Sequence, residues 1–173
     1  GMNDTVSKIW YSGPFFRHER PQKGRYRQFH QFGAELIGIE GYQADFEIIS
    51  LVNYIWIQLN INPTLKINTI GNKDDRRKYI EVLGEYFNKY KNDLSENELK
   101  QVQSNPLRIL DSKNKNIKEM IVMAPKITKY ISKESILHFD NLLNTLEIKN
   151  ISYERDEKLV RGLDYYNRTV FEY

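Results

Sequence analysis

The chain has no cysteine, so a disulfide framework, a zinc–thiolate site and a thiol nucleophile are all excluded. Histidine is nearly as scarce: His18, His30 and His138 are scattered and show no metal-ligand spacing. No apolar run reaches the roughly 18 residues of a membrane span, and the start lacks the apolar core of a signal peptide. No membrane partner and a cytoplasmic location are the expectation. Charge of one sign is also lacking: Lys+Arg 26 against Asp+Glu 23 leaves +3, too mild to demand nucleic acid. A local basic patch would be diluted in that sum, so RNA is not excluded either. There is no internal repeat, low-complexity tract or long linker. What remains is 173 residues, 40% hydrophobic and 13% aromatic, enough for one ordinary domain or a domain plus a lobe, with a real core.

The most informative stretch is Phe16–Glu35, FRHERPQKGRYRQFHQFGAE, which reads as a strand, a basic turn and a second strand. Counted by a period of two, Arg27, Phe29, Gln31, Gly33 and Glu35 share one face of the second strand. Gln28, His30, Phe32, Ala34 and Leu36 share the other. Phe15, Arg17 and Glu19 share a face of the first strand. If the two sets align across the hairpin, one face carries Arg17, Glu19, Phe29, Gln31 and Glu35, with Gly33 where a ligand could approach the backbone. A guanidinium, two carboxylates, an amide and a flat ring pack poorly as a core and suit a polar, anionic, aromatic ligand. The plainer alternative is a solvated hairpin with a charged outer face. Lys23 and Arg25 beside Gly24 add a cationic tip suited to phosphate oxygens, or simply a soluble loop.

Farther along, Ile48, Leu51, Val52, Ile55, Trp56 and Leu59 recur at three and four, which predicts a helix from about Asp45 to Leu59 with Asp45 as its cap. Leu65–Ile70 alternates as a strand. From about Lys73 to Leu146 the pattern is helical and highly charged. Tyr79, Ile80, Leu83, Tyr86, Phe87 and Tyr90 make one stripe, and Ser95 with Glu98 makes a capping box. Asn105-Pro106 is a break, Ile117–Met123 a short helix, and Ile136, Leu137, Phe139, Leu142, Leu143 and Leu146 a last stripe after Ser132. Strand-like composition returns at Ile151–Val160 and Tyr166–Tyr173. The expected fold class is α+β: a partial, mostly antiparallel sheet in 1–72 and 147–173, interrupted by a helical insertion at 73–146.

The Phe16–Glu35 stretch resembles motif 2 of the class II aminoacyl-tRNA synthetases, in the form found in histidyl-tRNA synthetases. Leu159–Glu172, LVRGLDYYNRTVFE, resembles the histidine-specific motif of that family, and NPLRILDSKN, Asn105–Asn114, a segment of its insertion domain. The matches follow the family's order and span nearly the whole chain. The resemblance implies a ligase of protein biosynthesis that activates histidine with ATP to histidyl-adenylate and transfers it to tRNA(His). It implies catalytic roles for Arg17, bridging the substrate carboxylate and α-phosphate, and for Arg161, approaching the α-phosphate from the other side. ATP would be held by Arg17, Glu19, Arg25 and Phe29; histidine by Gln31, Glu35, Arg161, Tyr165 and Tyr166. Mg²⁺ is implied with the ATP, though no carboxylate cluster identifies metal ligands. Without the resemblance, Arg161 would read as a plain strand-end arginine and Tyr165 and Tyr166 as ordinary core and surface neighbours. The family's motif 1, with its homodimer interface, its ammonium-binding loop, motif 3 and anticodon-binding domain are not in these residues. The expectation is therefore a truncated synthetase, the fragment itself inactive. The alternative is a non-catalytic paralogue that binds histidine as a regulatory subunit.

Overall fold

The computed structural model describes residues 5–18, 20, 22–110, 112, 114–160 and 166–173. The chain forms two compact units, Gly1–Ile55 and Trp56–Tyr173. Among the described residues no helix is long and apolar enough to cross a membrane.

The first unit is a hairpin followed by the start of a helix. Strands β1 (Ser7–Phe16) and β2 (Gln28–Ile37) pair antiparallel along their full lengths. Helix α1 (Tyr42–Gln58) begins three residues before Asp45, closed at its start by Ala44 N–H donating to the Gly41 carbonyl. Asp45 therefore lies in the first turn, where it meets the exposed N–H groups as a charge and not as the cap. The expected apolar stripe is only partly covered: Leu51 is exposed and Leu59 falls beyond the helix end. Lys8 pairs with Glu47, tying β1 to α1 by a solvated ion pair. Ile49 is the one fully buried apolar residue among the described residues of this unit.

The second unit has a conventional core. Its sheet has the order β4-β3-β5, with β3 (Lys66–Thr69) in the centre. Strand β5 (Thr169–Glu172) pairs with β3 antiparallel and β4 (Glu154–Arg155) pairs with it parallel. The strand expected over Ile151–Val160 is thus only two residues long. Its apolar end is still buried, with Leu159 and Val160 in the core as irregular chain.

Between β3 and β4 run helices α2 (Lys73–Asn88), α3 (Glu96–Ser104), α4 (Leu107–Leu110), α5 (Lys118–Met123) and α6 (Lys133–Ile148), with short 3₁₀ turns before and after α5. The α3 capping box of Ser95 and Glu98 forms as expected, and Asn105 ends that helix. Tyr79, Leu83, Phe87, Leu107, Ile109 and Ile121 pack into one cluster that continues into Ile70, Leu159, Val160 and Val170. The helices therefore share their core with the sheet. On α6, Phe139, Leu142, Leu143 and Leu146 are buried, whereas Leu137 is 61% exposed.

One carboxylate joins two helix starts. Asp75, 2% exposed, completes the Asn72 capping box of α2 and also accepts hydrogen bonds from Ser132 N–H, Ser132 Oγ and Ser135 Oγ at the start of α6. Burial pushes its pKa up, but the hydrogen bonds from Ser135, Asn72 and Ser132 outweigh that and hold it below the usual aspartate value. The whole is an α+β fold.

Candidate functional site

The hairpin register sets Phe15 opposite Phe29, Gly13 opposite Gln31, Tyr11 opposite Gly33 and Ile9 opposite Glu35. Directly opposed residues share a face in an antiparallel pair, so this is the alignment expected from the period of two. The ladder continues one step past β1, where Arg17 N–H donates to the Arg27 carbonyl at 2.8 Å. That holds Arg17 on the same face, with its guanidinium carbon 4.9 Å from the centre of the Phe29 ring. Phe15 stacks with Phe29, ring centres 6.2 Å apart.

The tip returns over this face. Gln22 and Arg25 exchange backbone hydrogen bonds of 2.9 and 3.2 Å across Lys23-Gly24. Gly24 holds a φ of +78° there, the value a type II turn requires at its third residue. Arg17, Gly24, Arg25, Tyr26 and Phe29 then line a cleft of about 290 Å³. Two guanidiniums and a half-buried aromatic face open to solvent can take a ligand with a flat ring and a multiply charged anionic group. Tyr26, 70% exposed, joins this cleft without having been singled out from the sequence.

Farther from the tip, Gln31 and Glu35 lie on the same face as Phe29. Tyr11 was missed by sequence reasoning and proves central here: its hydroxyl donates to Glu35 Oε1 at 3.2 Å. Desolvation, then the hydrogen bond to Glu35 and its charge, push the Tyr11 hydroxyl above its usual pKa. It stays a donor at neutral pH and fixes one carboxylate oxygen of Glu35. Counting the period of two backward from Phe15 through Gly13 would have found it.

The reading of Gly33 as an opening for a ligand is corrected. A Cβ at Gly33 would stand within the Tyr11 ring, so the glycine makes room for that side chain from the facing strand.

The remaining candidates belong to the second unit or lie outside the described residues. Glu19, Arg161 and Tyr165 lie outside them. Tyr166 is partly exposed at the start of the stretch leading to β5, and its carbonyl accepts from Arg76 Nη1 at 3.4 Å. His18 and His30 are exposed. No group of three or more His, Cys, Asp or Glu converges among the described residues.

Comparison with known proteins places these observations. Residues 2–71 match the family described as histidyl-tRNA synthetase. The chain is 49% identical over 171 residues to a histidine–tRNA ligase of Vesicomyosocius okutanii subsp. Calyptogena okutanii, covering 98% of this chain and 40% of that protein. It is 51% identical over 174 residues to the histidine–tRNA ligase of Buchnera aphidicola subsp. Baizongia pistaciae, covering 99% and 41%. The crystal structure of apo S. aureus histidyl-tRNA synthetase superposes with a TM-score of 0.73 at 32% identity, over 95% of this chain and 38% of that one. The chain thus spans about two-fifths of the length of the curated relatives it matches.

Proposed function

Since the chain belongs to the histidyl-tRNA synthetase family, we propose that the protein it represents activates histidine with ATP and transfers it to tRNA(His), and that these residues form one wall of the activation site. The histidine carboxylate attacks the α-phosphorus in line, forming the acyl–phosphate bond of histidyl-adenylate as the bond to pyrophosphate breaks. The tRNA then takes the histidyl group and AMP leaves.

Little covalent chemistry falls to the protein, so positioning and cations at the phosphoryl oxygens supply the rate. On this reading Phe29 stacks on adenine, with Glu19 at the edge of the base. Arg17 bridges the attacking carboxylate and the α-phosphate, Arg161 meets that phosphate from the other side, and Arg25 meets the terminal phosphates. Gln31 and Glu35 accept from the ammonium and imidazole of histidine, with Tyr165 and Tyr166 against the ring. An acceptor held in place, as Glu35 is by Tyr11, discriminates against rings lacking the N–H. The observation that carries the proposal is the Arg17 guanidinium seated on Phe29 beside Arg25, a cation-flanked aromatic platform in one cleft.

The Mg²⁺ that accompanies ATP finds no protein cage among the described residues. Residues 73–146 are assigned the role of the family's insertion domain, and the full-length enzyme that of a homodimer. A polypeptide of just these 173 residues is inactive on this reading.

The test is histidine-dependent pyrophosphate exchange by the chain extended to its relatives' full length. Arg17→Ala should lower turnover by roughly two to three orders of magnitude, and Arg17→Lys should restore only part, since an ammonium lacks the planar fork. No exchange by the unsubstituted extended chain, with histidine binding retained, would favour the regulatory paralogue instead.

A further inference from the structure

The aromatic wall of the cleft is covered by one of the protein's own cations. The Arg17 guanidinium carbon stands over the Phe29 ring, 4.9 Å from its centre, and both residues line the cleft with Arg25 and Tyr26. Phe29 is half-buried on β2, and its ring also meets that of Phe15, centres 6.2 Å apart. The ring is therefore a braced surface. Arg17 is anchored at its backbone, where its N–H donates to the Arg27 carbonyl at 2.8 Å. Beyond that anchor a long side chain reaches different places by changing rotamer.

A flat base stacked on Phe29 needs its atoms about 3.5–4 Å from those of the ring. A guanidinium lying over the ring fills that layer on the face it covers. The face cannot carry both. The proposed reaction asks Arg17 to do something else, to offer its fork to a carboxylate and a phosphate. The two kinds of contact differ in strength. A guanidinium over a ring beside solvent is held weakly, whereas a forked pair with a carboxylate or phosphate is charge-assisted and stronger. An arriving anion therefore draws the guanidinium off the ring, and the ring becomes available to the base.

We propose that Arg17 is an autoinhibitory cover for the adenine platform: in the free protein its guanidinium occupies the face of Phe29 that the base takes, and the carboxylate of histidine draws it away. Histidine then tightens binding of the nucleotide through its carboxylate, and by linkage the base tightens binding of histidine. This rests on the proposed function, in which Phe29 stacks on adenine and Arg17 meets the carboxylate and the α-phosphate. The same side chain is thus a cover before the substrates arrive and a bridge between them afterwards.

The experiment uses the chain extended to its relatives' length and measures the Kd of adenosine, which has the base and no phosphate. Expected is an affinity about two- to fivefold higher with saturating histidine than without it, the size of a solvated cation–π contact. Histidinol, which keeps the ammonium and imidazole but has no carboxylate, should give no such gain. Arg17→Gln should bind adenosine about two- to fivefold tighter than the unsubstituted chain, and histidine should then add nothing. An unchanged or weakened adenosine affinity in Arg17→Gln, or equal effects of histidine and histidinol on the unsubstituted chain, would overturn the cover. Phe29→Leu separates the two levels. If it leaves adenosine affinity unchanged, the platform reading itself fails. If it weakens adenosine binding while Arg17→Gln does not strengthen it, only the cover fails.

Discussion

The two units differ in how much apolar surface they bury. Residues 5–55 contain a single fully buried apolar side chain among those described, Ile49, yet carry the cleft, the arginines and the Tyr11–Glu35 pair. Residues 56–173 bury a continuous cluster from Ile70 through Leu83 and Phe87 to Val170, with capped helix starts around it. A hairpin face that takes a charged ligand, as proposed above, cannot also be covered by its own chain, and its stability is correspondingly limited. The chain has two tryptophans, Trp10 in the first unit and Trp56 in the second, so each unit can be followed by its own fluorescence.

The largest effect should come from Leu83→Ala, at a site with no exposure. Loss of transfer energy plus a cavity should cost about 3 kcal/mol, read as a lower urea midpoint by Trp56 in a Trp10→Phe background. The midpoint read by Trp10, in a Trp56→Phe background, should move far less. Equal shifts at both probes would erase the distinction between the units.

Next is Asp75→Asn. The native carboxylate has its pKa below that of the unfolded chain, so the unfolded state binds more protons as the solution is acidified. Its contribution is fully present above the ordinary aspartate pKa and is lost as pH falls through the native value. The variant should lose roughly 2 kcal/mol at neutral pH, since bonds to a charged acceptor are replaced by weaker ones, and its stability should fall less steeply in acid. Urea midpoints from neutral to acidic pH, read at Trp56, provide the check.

The smallest effect should be Trp10→Ala. Despite its size, Trp10 is 72% exposed, its ring centre 6.3 Å from that of Phe32. Stability of the second unit, read at Trp56, should change by less than about 0.5 kcal/mol. A larger loss would mean that the first unit stabilises the second.

The period of two was enough to place Arg17, Phe29, Gln31 and Glu35 on one face, because alternation on a strand is a strictly local property. The helices with strong stripes and caps were legible for the same reason. What was not legible depended on partners distant in sequence. Gly33 reads as open until Tyr11 is set across from it. Ile151–Val160 has strand composition, but β3 supplies pairing only at Glu154 and Arg155. Asn72 and Asp75 have the spacing of a capping box, whereas the link from Asp75 to Ser132 and Ser135 is a tertiary fact. Asn68 would pass for a polar edge position, yet it lies in the core facing Leu159.

The parallel pairing of β3 with β4 has a consequence for how the molecule comes into being. Ile67 meets Arg155 only after the whole helical block has been traversed. Bringing such ends together in an unfolded chain costs about 4 kcal/mol of closure entropy, whereas each helix of the block gains its contacts locally. The order of assembly follows: the helices consolidate first, shortening the effective loop, and the sheet closes last. During synthesis on the ribosome β3 would wait, its edges unpaired, until β4 and then β5 emerge. The strand that bears Asn68 is therefore among the first made and among the last completed.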